Sequence, residues 1–363
     1  MSGDMTSFTS RVVYAAAHVV ADQNADNGPG KSAVLDWEAT LRFREHLWSL
    51  GFGIADAMDT AQRGMGLDWT ATQELIRRSG AAARAVDAAR VPSLLACGAG
   101  TDQLAAGAHS LPDIQAAYEE QLGVVENAGA RVILMASRAM AASAQSADDY
   151  LTVYGSLLSQ ASNPVILHWL GDMFDPALAG YWGSSDVPTA MATVLELITS
   201  NPQKVDGIKI SLLNADYEIE LRRRLPAGVR LYTGDDFNYP ELIKGDEHGH
   251  SDALLGIFDG IARPASQALQ ALDRGDVETY DRLMEPTVEL SRHIFEKPTF
   301  NYKTGLVFLA YLNGHQDHFR MVGGLETARD AAHLTELLRL AEIAGVIDDP
   351  ELAAARFEAV IGA

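Results

Sequence analysis

Lys209 is the residue whose setting most directly suggests chemistry. It lies in Val205-Asp206-Gly207-Ile208-Lys209-Ile210-Ser211, a run that reads as a buried strand. Side chains alternate along a strand. Ile208 and Ile210 therefore share one face, and Lys209 shares the other with Val205, Gly207 and Ser211. On the inner face of a barrel a lysine charge must be paired or lost, and Gly207 is expected to leave room beside it. Burial among apolar groups lowers a lysine pKa from ~10.4 toward ~7–8. A neutral amine attacks a carbonyl to form a Schiff base, an electron sink for making or breaking the adjacent C–C bond. The competing reading is a strand-end lysine that reaches solvent or pairs with an aspartate. On these residues alone both stay open.

His168 shares a face with Ile166 and is expected to point inward near Lys209, as a general acid or base; the alternative is a core histidine bonded to a carbonyl. Arg63 and Arg138 are candidate anchors for a substrate carboxylate or phosphate, or members of surface ion pairs. Asp235 and Asp236 are expected to bind substrate hydroxyls, because a carboxylate beside Lys209 would raise the amine pKa and oppose its nucleophilicity. A divalent-metal site could draw on His18, Asp22, Asp56, Asp59, His168, Asp172, Asp235 and Asp236, all near predicted strand ends, although no pair has diagnostic ligand spacing. Asp246-Glu247-His248-Gly249-His250 precedes the last strand and reads as a polar loop, as does His315-Gln316-Asp317-His318.

Eight apolar runs must carry these residues: Arg11–Val20, Gly51–Ala57, Pro92–Gly98, Ala130–Ala136, Asn163–Trp169, Val205–Ser211, Val229–Gly234 and Asp252–Phe258. Each gap between them is long enough for a helix, as parallel strands require. Helical spacing is visible at Thr70–Val86, Pro112–Ala128, Ala144–Ala161, Val187–Thr199 and Ala215–Leu225. Eight such units predict an α/β chain folded as a closed (β/α)8 TIM barrel over 1–262, with its active site at the carboxyl ends of the strands. The competing open sheet would show a Gly-rich turn after its first strand, where only Ala21-Asp22-Gln23-Asn24 stands. After Ile261 the patterns are all helical (Ala265–Arg274, Val277–Glu296, Thr304–Leu312, Glu326–Ala344 and Pro350–Ile361), which predicts a C-terminal helical extension over 263–363. Asn24–Lys31 is Gly/Asn/Pro-rich and reads as a loop.

The whole-chain figures restrict partners. Against 28 Lys and Arg stand 49 Asp and Glu, a formal charge of −21. Such a surface repels a phosphate backbone, so no nucleic-acid partner is expected; Arg222, Arg223 and Arg224 read as a solvated helix end. One cysteine, Cys97, excludes an intrachain disulfide and a zinc site built from four cysteines. Met1–Ser10 lacks the charged and apolar regions of a signal peptide, and no apolar stretch reaches ~18 residues. A cytoplasmic protein without a membrane partner is expected.

Gly207-Ile208-Lys209, preceded by Asn163-Pro164-Val165-Ile166-Leu167, resembles the dihydrodipicolinate synthase / N-acetylneuraminate lyase superfamily. Ala96-Cys97-Gly98-Ala99-Gly100, Asn127-Ala128-Gly129-Ala130, Gly234-Asp235-Asp236 and Phe300–Leu312 resemble further segments of that family in the same order, over roughly residues 8–350. The resemblance implies a (β/α)8 barrel with a helical extension and a Schiff-base lysine at Lys209. It also implies homodimers or homotetramers, and no cofactor. Departures accompany it. In place of the family's Thr-Thr-Gly-Glu turn stands Asp59-Thr60-Ala61-Gln62-Arg63-Gly64; His168 replaces its strand-five tyrosine, and Ser137-Arg138 its Tyr-Tyr turn. The expected activity is a class I aldolase or lyase acting on a keto acid or sugar-derived keto compound. Lys209 and His168 are its catalytic pair, and Thr60, Asp59, Arg63, Arg138, Asp235 and Asp236 its substrate-binding set. A metal-dependent sugar isomerase or epimerase and a non-catalytic sugar-acid binding protein are the alternatives.

Overall fold

The computed structural model describes residues 7–362, so part of the Met1–Ser10 reading lies outside the described residues. The chain order is β1 (Val13–Ala16), α1 (Trp37–Ser49), β2 (Gly53–Asp56), α2 (Trp69–Asp87), α3 (Val91–Leu94), β3 (Leu95–Ala99), α4 (Leu111–Asn127), β4 (Arg131–Leu134), α5 (Arg138–Ser143), α6 (Ala147–Gln160), β5 (Val165–Leu170), α7 (Val187–Ser200), β6 (Val205–Ser211), α8 (Ala215–Arg224), β7 (Arg230–Thr233), α9 (Tyr239–Lys244) and β8 (Asp252–Leu255). Five helices follow: α10 (Ala262–Asp273), α11 (Val277–Ile294), α12 (Tyr302–Leu312), α13 (Ala331–Ile343) and α14 (Pro350–Ile361). The strands form a closed barrel in the order β1 to β8, as the alternation of strand and helix predicts. Every strand falls inside or within a residue of its predicted run. The ends of Arg11–Val20 and Asp252–Phe258 are buried chain beyond the strands.

Two compact units emerge from the packing. One contains the described residues of 1–72 and 255–363, the other 73–254. The boundary expected at 262 therefore falls within the first unit, which takes the first two strands together with all the helices after β8. Within that unit α12 is buried along its whole length, Lys303 and Thr304 included.

Helix starts are written in capping residues. Asp36, Ser110, Asp186, Asn214, Asp276, Asp330 and Asp349 each accept a first-turn backbone N–H, and Ser146 with Asp149 forms a capping box. Part of the acidic excess thus sits where a helix dipole favours negative charge. Pro112 lies in the first turn of α4, as its fixed φ predicts. The three arginines closing α8 are paired: Arg222 and Arg223 reach Asp246 at 3.0 Å, and Arg224 reaches Glu220 at 2.9 Å. Among the described residues, no helix is long and apolar enough to cross a membrane.

Candidate active site

In the second unit β5 and β6 pair in parallel with His168 opposite Lys209 and Leu170 opposite Ser211. Residues at matched register on neighbouring strands present their side chains to the same face, with strands ≈ 4.8 Å apart. His168, Lys209 and Ser211 therefore form one buried polar group at the carboxyl end of these strands, and all three are at most 8% exposed. Both ring nitrogens of His168 and the hydroxyl of Ser211 are buried without a hydrogen-bond partner. Burial, and then the charge of Lys209, push the His168 pKa well below the ordinary histidine value. The ring is thus neutral at physiological pH, with one N–H and one lone pair uncommitted.

The room for Lys209 comes from a glycine, but not the predicted one. A Cβ on Gly207 would lie 2.7 Å from the Tyr232 ring. That vacancy is filled by Tyr232, whose hydroxyl donates to Asp206 at 2.6 Å. A Cβ on Gly234 would instead fall 2.7 Å from Lys209 Cε and 2.2 Å from Ser211 Oγ. Gly234, immediately after β7, makes the space. Just past β6, Leu213 holds a left-handed φ of 51°, a conformation that costs ~1–3 kcal/mol for a non-glycine residue and recurs at functional sites.

Other predicted residues of this unit have different employment. The Asp235 carboxylate accepts the backbone N–H groups of Phe237 (2.9 Å) and Asn238 (3.0 Å) and the Asn238 amide (2.8 Å). Its oxygens shape the turn into α9, an employment different from the substrate-hydroxyl binding expected of it. Asp236 is buried. Arg138 is half exposed and pairs with Asp175 at 2.6 Å, the surface alternative foreseen for it. Two groups escaped the sequence reading. Glu218 on α8 is buried against the hydroxyls of Thr233 (3.0 Å) and Ser251 (2.7 Å), and burial pushes its pKa up to about 8. Tyr118, Tyr154 and Tyr181 form a buried hydroxyl chain, with the Tyr181 oxygen accepting the Ser137 N–H at 3.0 Å. Burial raises all three phenols above their usual range, so they serve as fixed donors and acceptors rather than bases.

In the first unit, Thr60 exchanges a 2.9 Å hydrogen bond with the Tyr302 hydroxyl, in a short 3-10 turn Asp59–Ala61. Ala57 and Gln62, flanking that turn, hold positive φ of 52° and 65°. Arg63 is buried, donating to the Ala57 carbonyl at 3.2 Å and lying over the Trp69 ring. Asp59 is partly exposed. His18 Nδ1 meets Asp259 at 2.8 Å, and Arg44 grips Asp56 bidentately at 2.7 and 3.0 Å, all four side chains buried. The strand-end carboxylates Asp56 and Asp235 are thus committed elsewhere. Among the described residues, the metal-ligand candidates named from strand ends form no three-ligand group.

A family model described as "Protein of unknown function (DUF993)" matches residues 2–363. No curated protein matches the sequence. Solved structures do. A dihydrodipicolinate synthase from Bacteroides thetaiotaomicron is 17% identical, with 91% of this chain and 98% of that one covered, at a TM-score of 0.66. A prophage protein of E. coli K12, belonging to the dihydrodipicolinic acid synthase family and solved with pyruvate, is 14% identical over 93% of this chain and 99% of its own, at 0.67. The Acinetobacter baumannii dihydrodipicolinate synthase complexed with pyruvate is 16% identical over 93% and 100%, at 0.64. At these identities the likeness is one of fold: the chain has the dihydrodipicolinate synthase-like barrel that its ordered motifs suggested.

Proposed function

The chain belongs to the family described as Protein of unknown function (DUF993), a description that assigns no reaction, and from the site itself we propose that it is a Schiff-base-forming (class I) aldolase or lyase. Its substrate class is a keto acid or sugar-derived keto compound. One observation carries the reading: a buried lysine at the end of β6 lies in register with a buried histidine whose two ring nitrogens have no partner. Buried polar groups are nearly always hydrogen-bonded, so an orphaned pair of nitrogens calls for a ligand or water to meet it.

In this mechanism Lys209 Nζ, once deprotonated, adds to the substrate carbonyl carbon. The carbinolamine loses its hydroxyl as water, leaving a protonated imine. That cation draws the electrons of the neighbouring C–C bond as it breaks, or stabilises the enamine that forms the new bond. His168, neutral and uncommitted, donates its N–H to the departing oxygen and accepts through the other nitrogen. Ser211, one step along the same face, holds a polar substituent. Self-association to a dimer or tetramer belongs to the same reading.

Borohydride reduction in the presence of a panel of keto acids, beginning with pyruvate, tests it. An adduct of one substrate mass, mapped to Lys209 and absent in Lys209→Ala, is the expected result, with turnover in that variant lower by ~10^3-fold or more. Full turnover by Lys209→Ala, or equal labelling of it, overturns the proposal.

A further inference from the structure

Far along the chain from these strands, the end of α11 and the start of α13 bring together His293, Glu296 and His333. Their ligand atoms all lie within 4.8 Å of one another. His293 Nδ1 is 3.8 Å from Glu296 Oε2, and His333 Nδ1 is 2.8 Å from Glu296 Oε1. The hydrogen bonds fix the tautomer of one ring. His293 Nε2 lies 2.9 Å from the His333 carbonyl oxygen. A carbonyl only accepts, so Nε2 carries the proton and Nδ1 of the neutral ring presents a lone pair. That lone pair faces the Glu296 carboxylate at 3.8 Å, an arrangement that either a proton or a metal ion between them satisfies. Carbonyl-anchored imidazoles of this kind are typical of metal-bound histidine. The His333 main chain is held in turn, its N–H donating to Asp330 at 2.8 Å. His333 Nε2 is buried without a partner, so the ring makes no competing side-chain bond on that edge.

We propose that His293, Glu296 and His333 bind a divalent first-row transition ion, with Zn²⁺ as the best match, clamping α11 to α13. Two imidazoles and one carboxylate are a zinc-type donor set. Zn–N and Zn–O bonds of about 2.0–2.2 Å put tetrahedral ligands roughly 3.3–3.5 Å apart. The observed 2.8 and 3.8 Å run from the two rings to the two different oxygens of Glu296. The rings are stacked with centroids 4.0 Å apart, so binding requires at least one imidazole to rotate out of the stack and aim its lone pair at the shared ion. Glu296 is 47% exposed, which leaves the fourth position to water. Arg329 is the cation that opposes binding. Its guanidinium is spent on the carbonyls of Glu296 (2.7 Å) and Pro298 (3.2 Å).

Chelator-stripped full-length protein titrated with Zn²⁺ against a chromophoric indicator should bind one ion per chain through this site. Co²⁺ in its place should give the intense visible bands of a four- or five-coordinate ion. Glu296→Gln and His293→Gln change partly exposed side chains and keep the fold checkable by circular dichroism. Each should weaken Zn²⁺ about tenfold or more, abolish the Co²⁺ bands and remove the metal-dependent rise in Tm. His333→Ala should do the same. Unchanged affinity in the two Gln variants, or a weak water-rich Co²⁺ spectrum in the parent, would mean adventitious binding and a plain His–Glu ion pair, and would overturn the proposal.

Discussion

Two buried histidines near strand ends, His18 after β1 and His168 on β5, are bonded to different degrees. His18 Nδ1 is held by Asp259, and its backbone N–H donates to the same carboxylate at 2.8 Å. Its carbonyl accepts from Arg44, which is itself locked to Asp56. His18 lacks a partner only at Nε2, whereas His168 lacks one at both ring nitrogens, and the Ser211 hydroxyl lacks one too. Both regions are sealed from solvent. Burial alone therefore does not distinguish architecture from chemistry; the degree of saturation does. A buried polar group that is fully bonded stabilises the fold, whereas one left open costs free energy that only a bound partner offsets.

The comparison breaks most visibly by removing Arg44. Arg44→Met keeps the volume but strands the Asp56 carboxylate in the interior, an error worth about 3–5 kcal/mol. Chemical denaturation should show that loss in full. A cost below about 1 kcal/mol would mean that the pair is not what holds the end of β2.

His168→Leu is the mirror experiment. It removes two unsatisfied nitrogens at similar volume, so stability should be unchanged or rise by about 1–3 kcal/mol, while borohydride-trappable chemistry falls away. The pH dependence sharpens this. The native pKa of His168 is depressed, so below ~6.5 the unfolded chain takes up a proton that the native ring refuses. Stability is then lost as pH falls below that value, by about 1.4 kcal/mol per unit for one such group. The gap between His168→Leu and the parent should widen on acidification and level off above pH ~7. A constant gap would show that the ring titrates alike in the folded and unfolded chain.

Gly234→Ala probes the space beside Lys209. The new methyl would overlap Ser211 Oγ and Lys209 Cε, costing about 1–3 kcal/mol by overpacking. The rate of adduct formation should drop together with stability. Gly207→Ala, which collides with Tyr232 and the Arg230 carbonyl instead, should lower stability without that specific effect on trapping.

The contrast between those two glycines marks what the sequence could reveal. The run Val205–Ser211 is β6 residue for residue, and its alternation put Lys209 opposite the helix-facing isoleucines. The eight-unit barrel and its trailing helices were legible because apolar runs and helical spacing recur along the chain. Which glycine makes room was not, because that depends on a neighbour across the sheet. Helix α1 was invisible for a related reason. Its buried face includes Thr40 and Arg44, polar residues that interrupt the apolar stripe and are tolerated only because His18, Val20 and Asp56 supply their partners. Asp235 could have been read from Asp-x-Phe-Asn, an Asx-turn pattern. The Tyr118–Tyr154–Tyr181 chain, drawn from α4, α6 and the loop before α7, left no local signal.

Arg138 offers the smallest effect and separates position from role. It begins α5, next to Ser137, where the sequence suggested a substrate anchor, yet its guanidinium is 54% exposed and paired with Asp175. Exposed pairs contribute about 0–1 kcal/mol, less at high salt. Arg138→Ala should therefore shift stability by less than about 1 kcal/mol. If the ion pair is its whole employment, the KM for a trapped keto acid should also stay within about twofold, because less than ~0.4 kcal/mol of binding would be at stake. A KM raised tenfold with kcat unchanged would instead show that the arginine exchanges Asp175 for the substrate's carboxylate, and would place an exposed, saturated residue among those that bind ligand.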